Sequence, residues 1–201
     1  MTEYQPTADE KKEFEKHDVH FKTLFKIYGG FYGFITSIYF WFALVCSVFF
    51  ILINSFLLGI EEFELINKVV GVLLSTFPSI LGFNIGAYAL VIGFGDKSVL
   101  DKIRESEGEN GYSLFQTIGG TFAVSVLIQS FTFMIAFLVN LFTESFGDLN
   151  ALNLSYSTIS SFNRIIAFIV LFSALYSVAL IPKIVLNVFS FSQLYHFFSK
   201  N

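Results

Sequence analysis

The chain has 201 residues, of which 54% are apolar and only 14% charged, whereas a soluble domain carries about a quarter charged residues. Phe alone contributes 28 residues, and the formal net charge is −4 at pH 7. This balance excludes a disordered chain, a nucleic-acid domain with a basic face and an ordinary cytosolic enzyme, and it points to an integral membrane protein.

The chain opens with mixed charge. Thr7-Ala8-Asp9-Glu10 has capping-box spacing, with a Thr side chain for the third amide and a Glu to reach back. Phe14, Phe21, Leu24, Phe25 and Tyr28 then fall mostly on one face of a helix running from 7 to 28. Such a helix either lies on the inner membrane surface or offers a docking face to a cytoplasmic partner or a neighbouring subunit. The 26 residues before the first apolar run do not resemble a cleaved signal, and that run is too long for one.

Four charge-free runs follow. Ile27 to Ile60 is 34 residues, Val69 to Gly95 is 27, Gly111 to Thr143 is 33 and Ile165 to Pro182 is 18. Each reaches the roughly 18 residues needed for a membrane-spanning helix. A transmembrane β-barrel would show short alternating strands instead. The expected fold is an all-α integral membrane protein with four transmembrane helices, at about 27–60, 69–95, 111–143 and 160–182. An N-terminal amphipathic helix (1–26) and a C-terminal one (183–201) flank this domain. The first and third runs reach about 50 Å at ~1.5 Å per residue, against a hydrocarbon core of ~30 Å. They must tilt, project or break.

Ten of the twelve Lys and Arg lie in the N-terminal segment, the 96–110 loop and the C-terminal end. Only Lys68 and Arg164 lie in the other two loops, beside Glu61, Glu62, Glu64, Glu144 and Asp148. Positive charge is retained inside, so both termini and the middle loop are expected in the cytoplasm, in a plasma membrane of bacterial type. The middle loop carries Val99, Leu100 and Ile103 at helical spacing and then a Gly-rich tip. It is a solvated connector or a partner epitope. Phe14 and Phe21 with Lys97, Lys102 and Arg104 form the candidate partner face. Pro182 is expected to kink the fourth span. Beyond it, Asn187, Ser190, Gln193 and His196 recur every third residue, which reads as a second cytoplasmic amphipathic helix. Asn153-Leu154-Ser155 has glycosylation spacing, which is accidental in a bacterial chain.

The spans contain no Asp, Glu, His, Lys or Arg. Haem ligation between helices, carboxylate-coupled proton antiport and intramembrane hydrolysis all need such groups. No catalytic residue, metal site or cofactor is therefore expected. The single cysteine, Cys46, excludes an internal disulfide and the membrane oxidoreductases that depend on cysteine pairs. What remains is neutral polarity: Asn84, Gln129, Ser173 and Ser177, near the centres of three spans. They form either hydrogen-bonded glue between helices or a polar constriction on a water path. Asn54 and Asn140 lie near the outer interface and call for no special role. Gly82 and Gly86 form a GxxxG, with Gly93 and Gly95 further along. Such spacing lets backbones approach, within one subunit or between subunits. Gly29-Gly30 and Gly119-Gly120 open the first and third runs, and Asn54-Ser55-Phe56 echoes Glu144-Ser145-Phe146. Duplicated hairpins would form a parallel repeat.

Four spans, inward termini, a charged N-terminal helix and the stretch GFNIGAYALVIGFGDKSVLDKI (Gly82 to Ile103) resemble small four-helix membrane proteins of bacterial antiphage operons. The Kiwa membrane subunits and CRISPR-associated membrane accessory proteins belong to this group. The resemblance implies a homo-oligomer in the inner membrane, coupled to a cytoplasmic partner that acts on nucleic acid. The expected function is thus a non-enzymatic membrane subunit that self-associates, contacts membrane lipids, binds a cytoplasmic protein and does not itself bind nucleic acid. The alternative is an oligomeric ion channel or pore that dissipates gradients.

Overall fold

A computed structural model describes residues 21–93, 97–108, 111–145 and 155–199. The capping box, Phe14, His17, His20, Gly95, Asn153 and Leu154 lie outside the described residues. Within them the protein is helical, with a single isolated bridge between Glu107 and Ser113 and no strand. Four helices are long and apolar enough to cross a membrane.

The first expected span, 27–60, is not one helix, and the helix that precedes it belongs to the expected N-terminal segment. α1 (Phe21–Ile27) and α2 (Gly30–Ile35) meet at Gly29 and Gly30, whose φ angles are 96° and 63°. That left-handed backbone favours glycine, so the chain turns here although no charge interrupts the run. α3 (Ile38–Ile53) starts after Ser37, and the Trp41 indole donates to the Ile35 carbonyl at 2.6 Å across the break. A π turn (Asn54–Leu58) continues it, so the stretch long and apolar enough to cross a membrane is Ile38–Leu58, 21 residues long. Asn54 is buried. Its amide donates to the Ile60 carbonyl at 2.9 Å, and its oxygen accepts from the Ile60 amide at 3.2 Å. It clamps the turn that ends the span, a role the sequence reading did not give it.

α4 (Glu62–Gly93) starts seven residues before the expected 69. Charge ends the apolar run without ending the helix. Glu62 and Glu64 favour its N-terminus, and Lys68 pairs with Glu64 one turn away at 2.7 Å. α5 (Lys97–Glu105) is short and amphipathic, burying Val99, Leu100 and Ile103. α6 (Leu114–Ser145) is opened by a reciprocal cap: the Ser113 amide donates to the Gln116 side chain at 3.0 Å, and the Gln116 amide to the Ser113 hydroxyl at 3.2 Å. Gly119 and Gly120 lie inside this unbroken helix, unlike Gly29 and Gly30. The paired glycines therefore do different work: one pair breaks a helix, and the other admits Tyr88 and Ile27 against α6.

α7 (Tyr156–Ser199) runs 44 residues without a break, about 66 Å at ~1.5 Å per residue. The expected separation into a span ending at 182 and a second helix from 183 is not seen. Pro182 removes one amide donor, which membrane helices tolerate when neighbours pack around them. Ile184 and Phe191 do this, packing with α5 and the start of α6.

The bundle has two apolar ends. At the Glu62 end, Leu65, Ile66, Val70, Leu73 and Phe77 of α4 meet Ala136 of α6 and Ala167 and Val170 of α7. At the α5 end, Val91, Val99, Leu100, Ile103, Ile118, Phe122, Ile184 and Phe191 form a second core. α3 lies against α7 through Ala43, Tyr176 and Leu180.

Candidate functional site

Between these cores lies a polar layer, which α4, α6 and α7 build at one level. The Asn84 amide donates to Gln129 Oε1 at 2.6 Å. The Gln129 amide donates to the Ser177 carbonyl at 3.3 Å. The Thr132 and Ser177 hydroxyls are 2.7 Å apart, and Thr132 Oγ1 donates to the Ser173 carbonyl at 3.2 Å. Asn84, Gln129, Thr132 and Ser177 are each at most 2% exposed.

An amide in a dry interior needs its partners, because an unmade hydrogen bond there costs more than a made one gains. The layer meets this need across three helices and fixes their register. The four residues named from the sequence are gathered here, and Ser173 takes part through its carbonyl while its hydroxyl turns back to Val170. Thr132 is the member the sequence reading missed. Its signal was position: three residues beyond Gln129, it shares that residue's helical face. The layer consists of neutral amides and hydroxyls bonded to each other, so it holds three helices together without supplying an acid or a base.

The glycines point elsewhere. Gly82, Gly86 and Gly93 are exposed, and a Cβ at any of them would meet nothing within 4 Å. Packing among the described residues does not account for them. Gly71, Ser75, Ser79 and Ala89 lie on the same outward side, all exposed. A strip of small residues therefore runs along α4, bordered by the exposed side chains of Val72, Phe83 and Leu90.

Of the candidate partner face, Phe14 lies outside the described residues, and the rest sits on two helices. Phe21 belongs to α1, which packs on α6, whereas α5 packs on α6 and α7. Lys102 donates to the Phe198 carbonyl at 3.4 Å, near the C-terminus of α7, where a cation complements the helix dipole. Arg104 pairs with Asp101 at 3.3 Å and caps the Phe115 ring at 5.1 Å. Lys97 is exposed. Two of the three basic residues thus anchor α5 to its own bundle. The sequence could not show the Lys102 contact, because Phe198 lies 96 positions further along the chain.

At the opposite end, Glu62 accepts from Arg164 at 2.8 Å and 3.3 Å, tying α4 to α7. Among the described residues, no group of three His, Cys, Asp or Glu is placed to hold a metal ion. Comparison with protein-family models, with curated proteins and with solved structures found no match to this chain.

Proposed function

We propose that this chain is a membrane subunit without catalytic activity of its own, which self-associates along α4 and couples the membrane to a cytoplasmic protein. The observation that carries this reading is the glycine face. In a bilayer, helices gain little by hiding apolar side chains from lipid, so close backbone approach drives association. α4 offers that approach outward, where no described part of the same chain fills it. The charge asymmetry supports an orientation with α5 and both termini inside. In the setting the antiphage resemblance implies, the partner would act on nucleic acid and this chain would not.

The test is the mass of the detergent-extracted protein by light scattering. Wild type is expected as a discrete homo-oligomer that gains mass from the cytoplasmic fraction of its source cell. Gly82→Leu with Gly86→Leu is expected to yield a folded monomer, since neither side chain meets anything in its own chain. A wild-type monomer, or an oligomer unmoved by both substitutions, would sink the proposal. An oligomer that gains no soluble protein would remove the coupling and make ion flux in liposomes the next measurement.

A further inference from the structure

A crevice of about 190 Å³ opens between α1 and α6, with α2 closing one side. Its walls include Phe21, Phe25 and Phe34 on one side and Val124, Leu127 and Phe131 on the other. Every wall residue is apolar. Apolar cavities of about 150 Å³ stay dry and accept a benzene-sized guest, so this one suits a segment of hydrocarbon chain.

Among the described residues, lysines lie around the crevice. Lys22 and Lys26 are exposed on α1, the helix that supplies Phe21 and Phe25. Lys183 of α7 sits with its ammonium 4.1 Å from the centroid of the Tyr28 ring, and that ring packs on Phe34 with centroids 4.7 Å apart. None of the three lysines has an ion pair among the described residues. α1, α2, α3 and α7 contain no Asp or Glu, and the one acid of α6, Glu144, lies in its last turn at the other end. α5, which packs on α6 and α7, carries Asp101, paired with Arg104, and Glu105, which is exposed. Lys183 is level with the near end of the crevice. Gln129 bonds Ser177 and Phe122 shares a core with Ile184, so the antiparallel register sets Lys183 level with the Phe122–Val124 turn of α6.

We propose that this is a binding site for an anionic phospholipid: one acyl chain occupies the crevice, and Lys26 and Lys183 hold the phosphate. Long lysine stems reach a head group while lying along apolar surface. The cation–π contact with Tyr28 keeps the Lys183 ammonium in place without neutralising it. The inference rests on the membrane reading and not on self-association.

The full chain, purified in detergent, is equilibrated with phosphatidylglycerol or with phosphatidylcholine of identical acyl chains. Native mass spectrometry counts the lipid retained. Phosphatidylglycerol is expected to be retained preferentially. Each of Lys26→Gln and Lys183→Gln is expected to weaken that preference about fivefold, and Lys183→Arg to keep it. Leu127→Trp fills the crevice and is expected to lower retention of both lipids. Equal retention of the two lipids, or a preference untouched by both lysine substitutions, overturns the proposal. So does full retention in Leu127→Trp, or displacement of the lipid by millimolar inorganic phosphate. The same spectra report oligomer mass, so failure here is separable from failure of self-association.

Discussion

The two halves of the bundle are made from the same Phe-, Leu- and Ile-rich stock, yet they are held differently. At the Glu62 end the four helices close on apolar side chains, and an ion pair ties α4 to α7. Toward the α5 end, amides and hydroxyls set the register, the N-terminal segment is broken at two glycines, and lysines surround an open crevice. The first half is a packing problem solved within one chain. The second half carries what that packing leaves over: a glycine face and an apolar crevice, both turned outward. In a membrane, apolar composition says little about where partners bind, because lipid competes for every apolar surface. Small, polar and charged residues carry the information.

The largest expected effect breaks the dry half. Phe77 is 2% exposed among α4, α6 and α7. Phe77→Ala should cost about 3 kcal/mol, the low end for a buried Phe, because lipid removes part of the transfer cost and leaves the cavity cost. Unfolding titrations in mixed micelles measure this. A loss no larger than that from an outward substitution such as Phe83→Ala would show that the apolar cluster is not what closes this half.

The next effect tests the polar layer. Gln129→Leu leaves the Asn84 amide and the Ser177 carbonyl without their shared partner. The expected cost is about 1–2 kcal/mol. Adding Asn84→Leu should restore part of it, since an apolar pair of similar shape leaves no unmet donor. A double-mutant cycle is expected to return a coupling of about 1 kcal/mol, within the range seen between membrane helices. Strict additivity would mean that the two amides do not depend on each other.

Much of this was legible in the sequence, for a physical reason. Charge avoidance places spans, so four helices long and apolar enough to cross a membrane could be read from charge-free runs alone. The Asn84–Gln129 pairing could be anticipated, because isolated amides at similar depth in antiparallel helices have few other options. Helix ends were read less well. Charge marks where lipid stops, and helices continue past that point: α4 begins in a charged turn and α7 runs through Pro182. The break at Gly29 and Gly30 was hidden for the opposite reason, since a left-handed turn carries no charge. The outward direction of Gly82 and Gly86 was open because spacing fixes that two residues share a face, not which neighbour that face meets. The crevice was illegible, being formed by side chains about 100 positions apart in sequence.

The smallest expected effect concerns the ion pair that ties the first half together. Arg164 reaches Glu62 with two nitrogens, and Ser160 adds a third, longer contact at 3.5 Å. Both nitrogens share one carboxylate oxygen, Oε1, so charge assists the contact without the parallel two-oxygen fork. Exposure weakens it: the Arg164 side chain is 52% exposed and that of Glu62 22%. Solvent screening then holds the contribution below about 1 kcal/mol. Arg164→Gln should therefore shift the unfolding midpoint slightly, and the shift should shrink as salt rises. Phe77→Ala should keep its full effect at the same salt. A salt-independent loss at Arg164 equal to that at Phe77 would mean that the ion pair, and not the apolar cluster, closes this end of the bundle.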